Sequence, residues 1–341
     1  MPAWSAEASW VRLYFRTSRC AICTVVGELA YRGGGALIRE ALHDSSPQVR
    51  KAAVSAAGRL HLTDCIPDIV NLLDDADFEV RICVTACLQA LALIDRDAIQ
   101  AVARMIEESE KPEQRRDAVI LYAALGDGER LSLLVKDEDP GVRRAAVAAM
   151  GKLHLSEVDG NLLIALVDED PEVRIAAAET LGKIGGPDVV DPLNHALNDE
   201  DIWVQCAVLR SIAQIDKSHM LPAIRSVFPR ADGLLMITCL ELLESIGSRE
   251  AMDIVEAALV SQDSETVDLA LSILVRQGGE WVTTHAERLI SHPNVEVRAV
   301  WAGVLADLPP GQARHLLSQA LKTEENSRIR TRIQGLLEGI A

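Results

Sequence analysis

Aromatic side chains are scarce in this sequence: five Trp, three Tyr and three Phe stand among 341 residues, 3% of the chain. With 49% of residues apolar, the core must be mostly Ala, Leu, Val and Ile, small and aliphatic side chains that suit closely approaching helices. Positive charge is also short. Thirty-four Lys and Arg face 51 Asp and Glu, a formal charge of −17. The deficit is uneven, because residues 1–150 hold 18 basic and 22 acidic side chains and the remainder 16 and 29, or −4 and −13. The second half should therefore repel nucleic acid and anionic membrane and favour basic partners. Long apolar runs are missing too. The longest nearly uncharged stretch, Ile82 to Ile94, is too short to span a bilayer and contains Thr85 and Gln89. No secretory signal pattern opens the chain. The seven cysteines, an odd number without framework spacing, point to reduced thiols, and a cytoplasmic protein is expected.

What is present is repetition. "DEDPEVRIAAAETLG", Asp168 to Gly182, follows "DEDPGVRRAAVAAMG" by 31 residues. Asp170 suits a helix cap and Pro171 the first helical position, while Ala176, Ala177 and Leu181 supply an apolar face. Aligning the Arg of "VR" gives Arg19, Arg50, Arg81, Arg143 and Arg174, then Gln205, Met236, Asp268, Arg298 and Arg330. The spacings are 31, 31, 62, 31, 31, 31, 32, 30 and 32. The doubled gap holds an irregular unit near 101–130 around "KPEQRRDAVILYAALG", with Arg115 and Arg116 near the expected place. About eleven units cover 1–341, and a fixed period of this size marks a solenoid. Each unit reads as two helices, the first typified by "DVVDPLNHAL" and the second by "VRIAAAETLGKIG". Pro67, Pro192 and Pro222 recur at one place, read as the amino-terminal turn of the first helix. Alternating strand-like segments do not compete.

These residues, "DEDPEVRIAAAETLGKIGGPDVVDPLNHALNDED" above all, resemble the HEAT-repeat superfamily in its short bacterial form, the PBS lyase HEAT-like repeat. The resemblance extends over essentially the full length. It implies an all-α, right-handed α-solenoid of about eleven helix pairs in a single domain. It also implies that an Asp six residues before the Arg joins a hydrogen-bonded ladder between repeats, here Asp44/Arg50, Asp75/Arg81, Asp137/Arg143 and Asp168/Arg174. The pattern lapses at Gln205, Met236 and Asp268. Such a unit repeats because one helix pair cannot bury its own apolar face.

Chemical motifs are few. "CAIC", Cys20 to Cys23, would need further ligands to hold zinc, and stacking at roughly 10 Å per unit places Cys83 and Cys87 about two steps away. Buried or incidental thiols are the expectation, with no metal and no cofactor. His61 and His154 recur just after second helices, in "RLHL" and "KLHL", which favours a structural role at a turn. No His-Glu dipeptide occurs, so resemblance to the iron-binding HEAT enzymes fails at its ligands. The acidic loops "DDAD", "DEDP" and "NDED" lack the length, the central Gly and the terminal Glu of a calcium loop, and read as helix caps. The Asn-His-Cys string of bilin isomerases is absent, "LNHALN" being the nearest.

What remains is surface. In the superfamily the second helices line the concave side, and the residue after the Arg position should project there. That row reads Cys20, Lys51, Ile82, Arg144, Ile175, Cys206, Ile237, Leu269 and Ala299, apolar or weakly polar from Ile175 onward. Trp203 stands beside it, where other units place Gly141 or Glu172. Ile175, Trp203, Cys206, Ile237, Leu269 and Ala299 are the candidate partner-binding residues. The expected function is a non-catalytic adaptor or scaffold that holds a protein or peptide in its groove. The partner would carry an apolar stripe flanked by basic residues, and neither nucleic acid nor membrane is expected. A bilin lyase-like chaperone of the phycobilisome E/F type is the alternative.

Overall fold

The computed structural model describes residues 18–153 and 159–340, so His154 lies outside the described residues. Every regular element among them is a helix. The chain divides into two compact units, Met1–Ile184 and Gly185–Ala341. The first contains α1 (18–28), α2 (Gly35–Ala41), α3 (Pro47–Leu60), α4 (Ile66–Asn71), α5 (Phe78–Leu91), α6 (Arg96–Glu107), α7 (Pro112–Leu125), α8 (Gly128–Leu134), α9 (Pro140–Met150), α10 (Gly160–Ala165) and α11 (Pro171–Ile184). The second contains α12 (Val190–Ala196), α13 (Ile202–Ile215), α14 (Lys217–Val227), α15 (Gly233–Ile246), α16 (Arg249–Ala257), α17 (Ser264–Val275), α18 (Gly279–Ile290), α19 (Val295–Ala306), α20 (Pro310–Thr323) and α21 (Ser327–Gly339).

Odd-numbered helices are the second members of the pairs. Within the first unit α3, α5, α7, α9 and α11 pack one on the next, and each even-numbered helix packs on the odd one that follows it. The second unit repeats the scheme with α13, α15, α17, α19 and α21. Each unit is thus a stack of helix pairs, an α-solenoid.

The acidic loops start the second helices. Asp77 accepts the N–H groups of Glu79 and Val80, Asp139 that of Val142, and Asp201 those of Trp203 and Val204. Asp170 does the same for Glu172 and Val173, with Pro171 as the first residue of α11. Asn294 and Asn326 replace the aspartate before α19 and α21. These side chains satisfy donors that have no partner inside the helix. At the other end, α7 closes on Gly126 with φ 66° and α3 on His61 with φ 55°, so His61 is a left-handed helix cap.

Small residues let the second helices approach. On α3, Val49, Ala53, Val54 and Ala57 are fully buried. A Cβ added to Gly27 would lie 3.0 Å from the Ala56 Cα, and one on Gly58 would lie 3.2 Å from the Cys87 Sγ. One on Gly151 would meet the Thr180 Oγ1 at 3.1 Å.

One expectation needs adjustment. Pro67 and Pro192 do stand at helix starts, but Pro222 lies inside α14. In the other two repeats a short 3-10 turn (Thr63–Cys65, Pro187–Val189) precedes the helix, whereas the Asp216 side chain caps the Ser218 N–H and α-helix continues from there. The irregular unit carries a twelve-residue α6, against six residues in α4 and seven in α8. Glu107 at its end receives the Tyr122 hydroxyl and pairs with Arg130 at 2.9 Å, tying α6 to α7 and α8.

Candidate functional site

The Asp–Arg ladder exists, with a division of labour that spacing alone hides. Within a repeat the named pair meets through the aspartate carbonyl, which accepts Nη1 of the arginine six residues on. This bond is 2.8 Å for Asp44 and Arg50, 2.6 Å for Asp75 and Arg81, 3.0 Å for Asp137 and Arg143 and 2.8 Å for Asp168 and Arg174. The carboxylate instead serves the repeat before. Arg50 forks onto Asp75 with two bonds of 2.6 Å, and Arg143 onto Asp168 at 2.9 and 2.8 Å. Each such carboxylate also accepts the N–H two residues on, which fixes the loop. The hydrogen bond from Arg50, more than any other influence, holds Asp75 below its ordinary pKa.

In the second unit the ladder is patched and then resumes. Gln205 keeps the backbone half, donating Nε2 to the Asp199 carbonyl at 2.6 Å, while its buried Oε1 has no hydrogen-bond donor among the described residues. Arg230 reaches back instead to the Leu197 carbonyl and to Asn198. Arg298 forks onto Glu324 at 2.7 and 3.1 Å. Glu324 was not among the expected members, although it stands six residues before Arg330 and only its Asp-to-Glu change disguises it.

The candidate surface row is mixed in exposure. Trp203 on the first turn of α13 is 62% exposed, with its own N–H held by the Asp201 cap. Ile237 on α15, Leu269 on α17 and Ala299 on α19 are half-buried. Ile175, at the same register on α11 of the first unit, is half-buried as well. Cys206 departs from expectation. It is 3% exposed and takes a hydrogen bond from the Thr238 hydroxyl at 3.4 Å, so it packs between helices rather than offering a contact. Beside the row, Arg210 pairs with Glu241 at 3.7 Å across exposed positions, and exposed Arg276 pairs with half-buried Glu244 at 3.0 Å. The loop carboxylates of Asp170 and Asp201 are engaged as caps, and that of Asp168 as a rung.

The thiols do not gather into a centre. Cys20, Cys23 and Cys83 rim a cleft of about 350 Å³ with Lys51, yet no three His, Cys, Asp or Glu converge to hold an ion among the described residues. Burial raises the pKa of Cys23 and pushes that of Cys87 up to about 12, which keeps both protonated and poor as ligands or nucleophiles. Among the described residues no helix is long and apolar enough to cross a membrane.

Stacked helix pairs with periodic caps and Arg–carboxylate rungs define the class: a helical-repeat solenoid. The family model for HEAT repeats matches residues 35–123 and 129–201, so over these residues the chain is similar to HEAT repeats. No curated protein sequence is significantly similar to the chain. Solved structures share its fold at low identity. Kap121p superposes with a TM-score of 0.55 at 14% identity, over 94% of this chain and 43% of that one. Kap95p, solved with RanGDP, gives 0.54 at 14% identity, over 94% of this chain and 52% of that one. The chain therefore spans about half of Kap95p and less of Kap121p. The complex of CpcE and CpcF of phycocyanin lyase from Nostoc sp. PCC7120 matches at 20% identity with a TM-score of 0.37, over 63% of this chain and 94% of that one.

Proposed function

We propose that the chain is a non-catalytic cytoplasmic adaptor that holds a protein or peptide partner along its second helices. The observation that carries this reading is Trp203. A large aromatic ring left 62% exposed on α13, with half-buried Ile237 and Leu269 on the next two second helices, is an anchor of the kind that dominates binding energy at protein interfaces. The excess of acidic side chains in the second half favours a partner whose apolar stripe is flanked by Lys or Arg. Two solved relatives in fold support the reading by analogy, since Kap95p is bound to RanGDP and Kap121p to Nup53p.

The test uses a fluorescein-labelled amphipathic helical peptide with a Leu stripe flanked by Lys, and a scrambled peptide of the same composition. Anisotropy titration of the full chain should show binding of the first and about tenfold or weaker binding of the second. Trp203→Ala should cost on the order of 2 kcal/mol, and Ile237→Asp and Leu269→Asp should also weaken binding, whereas Lys51→Asp should do little. Circular dichroism serves as the control, because a half-buried Ile237 that melts the helices when charged is a packing residue. Indifference of binding to Trp203→Ala, the variant least able to disturb the core, would remove the proposed surface.

A further inference from the structure

The ladder of the first unit breaks at one rung. Arg19, Arg50, Arg115 and Arg143 reach the carboxylates of Asp44, Asp75, Asp137 and Asp168 at 2.8, 2.6, 2.9 and 2.8 Å. Arg81 keeps its backbone half, with Nη1 on the carbonyls of Asp75 and Ala76 at 2.6 and 3.4 Å, but no carboxylate among the described residues pairs with it. The cause is a single letter. Six residues before Arg115 stands Ser109 instead of aspartate. Ser109 still does the turn's work, since its hydroxyl accepts the Lys111 N–H at 3.2 Å and its carbonyl accepts Arg115 at 2.8 Å. It carries no charge to offer Arg81.

The guanidinium lies over the Phe78 ring, 5.4 Å from its centroid, at a cavity of about 460 Å³ between the first turns of α5 and α7. Phe78 and Ile82 in its wall are 65% and 53% exposed. The carboxylates nearby are already engaged. Asp74 takes Lys111 and Gln114 at 2.6 and 2.8 Å, Asp75 takes Arg50, Asp117 takes the Thr85 hydroxyl at 2.8 Å, and Glu113 lies 3.8 Å from Arg116.

We propose that this cavity binds an extended segment of a partner protein in which an Asp or Glu precedes a large apolar residue, the carboxylate completing the missing rung on Arg81 and the apolar side chain covering Phe78 and Ile82. A free guanidinium fork matches a carboxylate with two parallel hydrogen bonds. A phosphoryl dianion fits less well, because Asp74 and Asp117 stand close by and repel the second charge. The adjoining exposed ring and aliphatic side chain gain by being covered. This site prefers an acidic segment, the opposite of the surface around Trp203, and stands independently of it.

Two fluorescein-labelled peptides test the proposal, identical Gly/Ser chains with a central Glu-Leu-Phe or Gln-Leu-Phe. Titrated with the full chain and read by anisotropy, the Glu peptide should bind about ten- to a hundredfold more tightly, the worth of a hydrogen-bonded charge. Arg81→Gln should erase the preference while leaving the melting temperature close to that of the parent, because Gln205 shows that glutamine can hold the same carbonyl. If Arg81→Gln does not fold, Arg81→Lys replaces it and should keep the charge preference in weakened form. Ile82→Ser should weaken both peptides. Equal binding of the two peptides, a preference that survives in Arg81→Gln or is undiminished in Arg81→Lys, or absence of binding by the Glu peptide each overturns the proposal.

Discussion

Arg143 shows what a single ladder residue carries. It is 7% exposed and forms five hydrogen bonds, two to Asp168, one to Glu169 and two to the carbonyls of Asp137 and Glu138. Removing it strands a largely buried carboxylate, and Arg143→Met should cost about 3–5 kcal/mol. Lys51→Ala breaks only the exposed pair with Glu79 and should leave stability nearly unchanged. Urea denaturation of the two variants checks the contrast, and similar losses would mean the rungs are ordinary surface pairs. Acid separates two kinds of carboxylate. Asp75 and Glu324, held low first by hydrogen bonds from Arg50 and Arg298, stabilise the fold above the ordinary carboxylate range and lose that contribution as pH falls through their depressed values. Asp117 has the opposite sign. Burial raises its pKa, so its contribution is present at low pH and is lost as pH rises through the raised value. Asp117→Asn keeps an acceptor for Thr85 and should raise the melting temperature at pH 7, with the gain shrinking toward about pH 4. A gain independent of pH would show that packing, not charge, sets the effect.

At the scale of the helix, close approach depends on a glycine register that the repeat pattern contains but that composition and caps do not reveal. Gly27, Gly58 and Gly151 fall at matching places eight residues after Arg19, Arg50 and Arg143. Gly58→Ala gains about 1 kcal/mol of helix propensity but sets a methyl 3.2 Å from the Cys87 Sγ and 3.5 Å from its Cα. Overpacking of this kind costs about 1–3 kcal/mol, so a net loss is expected. Gly160→Ala at the first residue of α10 meets nothing within 4 Å and should be neutral or stabilising. Thermal melts decide, and a stabilised Gly58→Ala would show that α3 and α5 can part without cost. Helix pairs, caps and the irregular repeat were legible because each is local, written in Asp, Pro and apolar spacing. The rungs were legible as residue types but not as pairs. The carboxylate of one repeat and the guanidinium of the repeat before it lie 25 residues apart, and only packing joins Arg50 to Asp75. Cys206 was misplaced for a related reason, because a small change of helix rotation decides whether that position is surface or seam.

For the whole molecule, charge supplies a test that distinguishes the two binding surfaces. The formal charge of −17 acts on any approaching peptide over roughly a Debye length, about 8–10 Å at ordinary ionic strength. A Lys-flanked helix bound for the surface near Trp203 approaches against its own opposite charge, so its association should slow as salt is added, with little change in dissociation. The Glu-Leu-Phe peptide must instead cross a repelling field to reach the local cation Arg81. Salt screens the repulsion at distance more than the contact itself, and its association should quicken. Stopped-flow measurements from low to moderate salt should therefore show the two association rates moving toward one another. If both slow together, the acidic surplus does not act as a field at the Arg81 cavity, and local cations such as Lys111 and Arg116 outweigh it there. If neither responds, the carboxylates engaged as caps and rungs are already neutralised at their helix ends, and the formal count overstates what a partner meets.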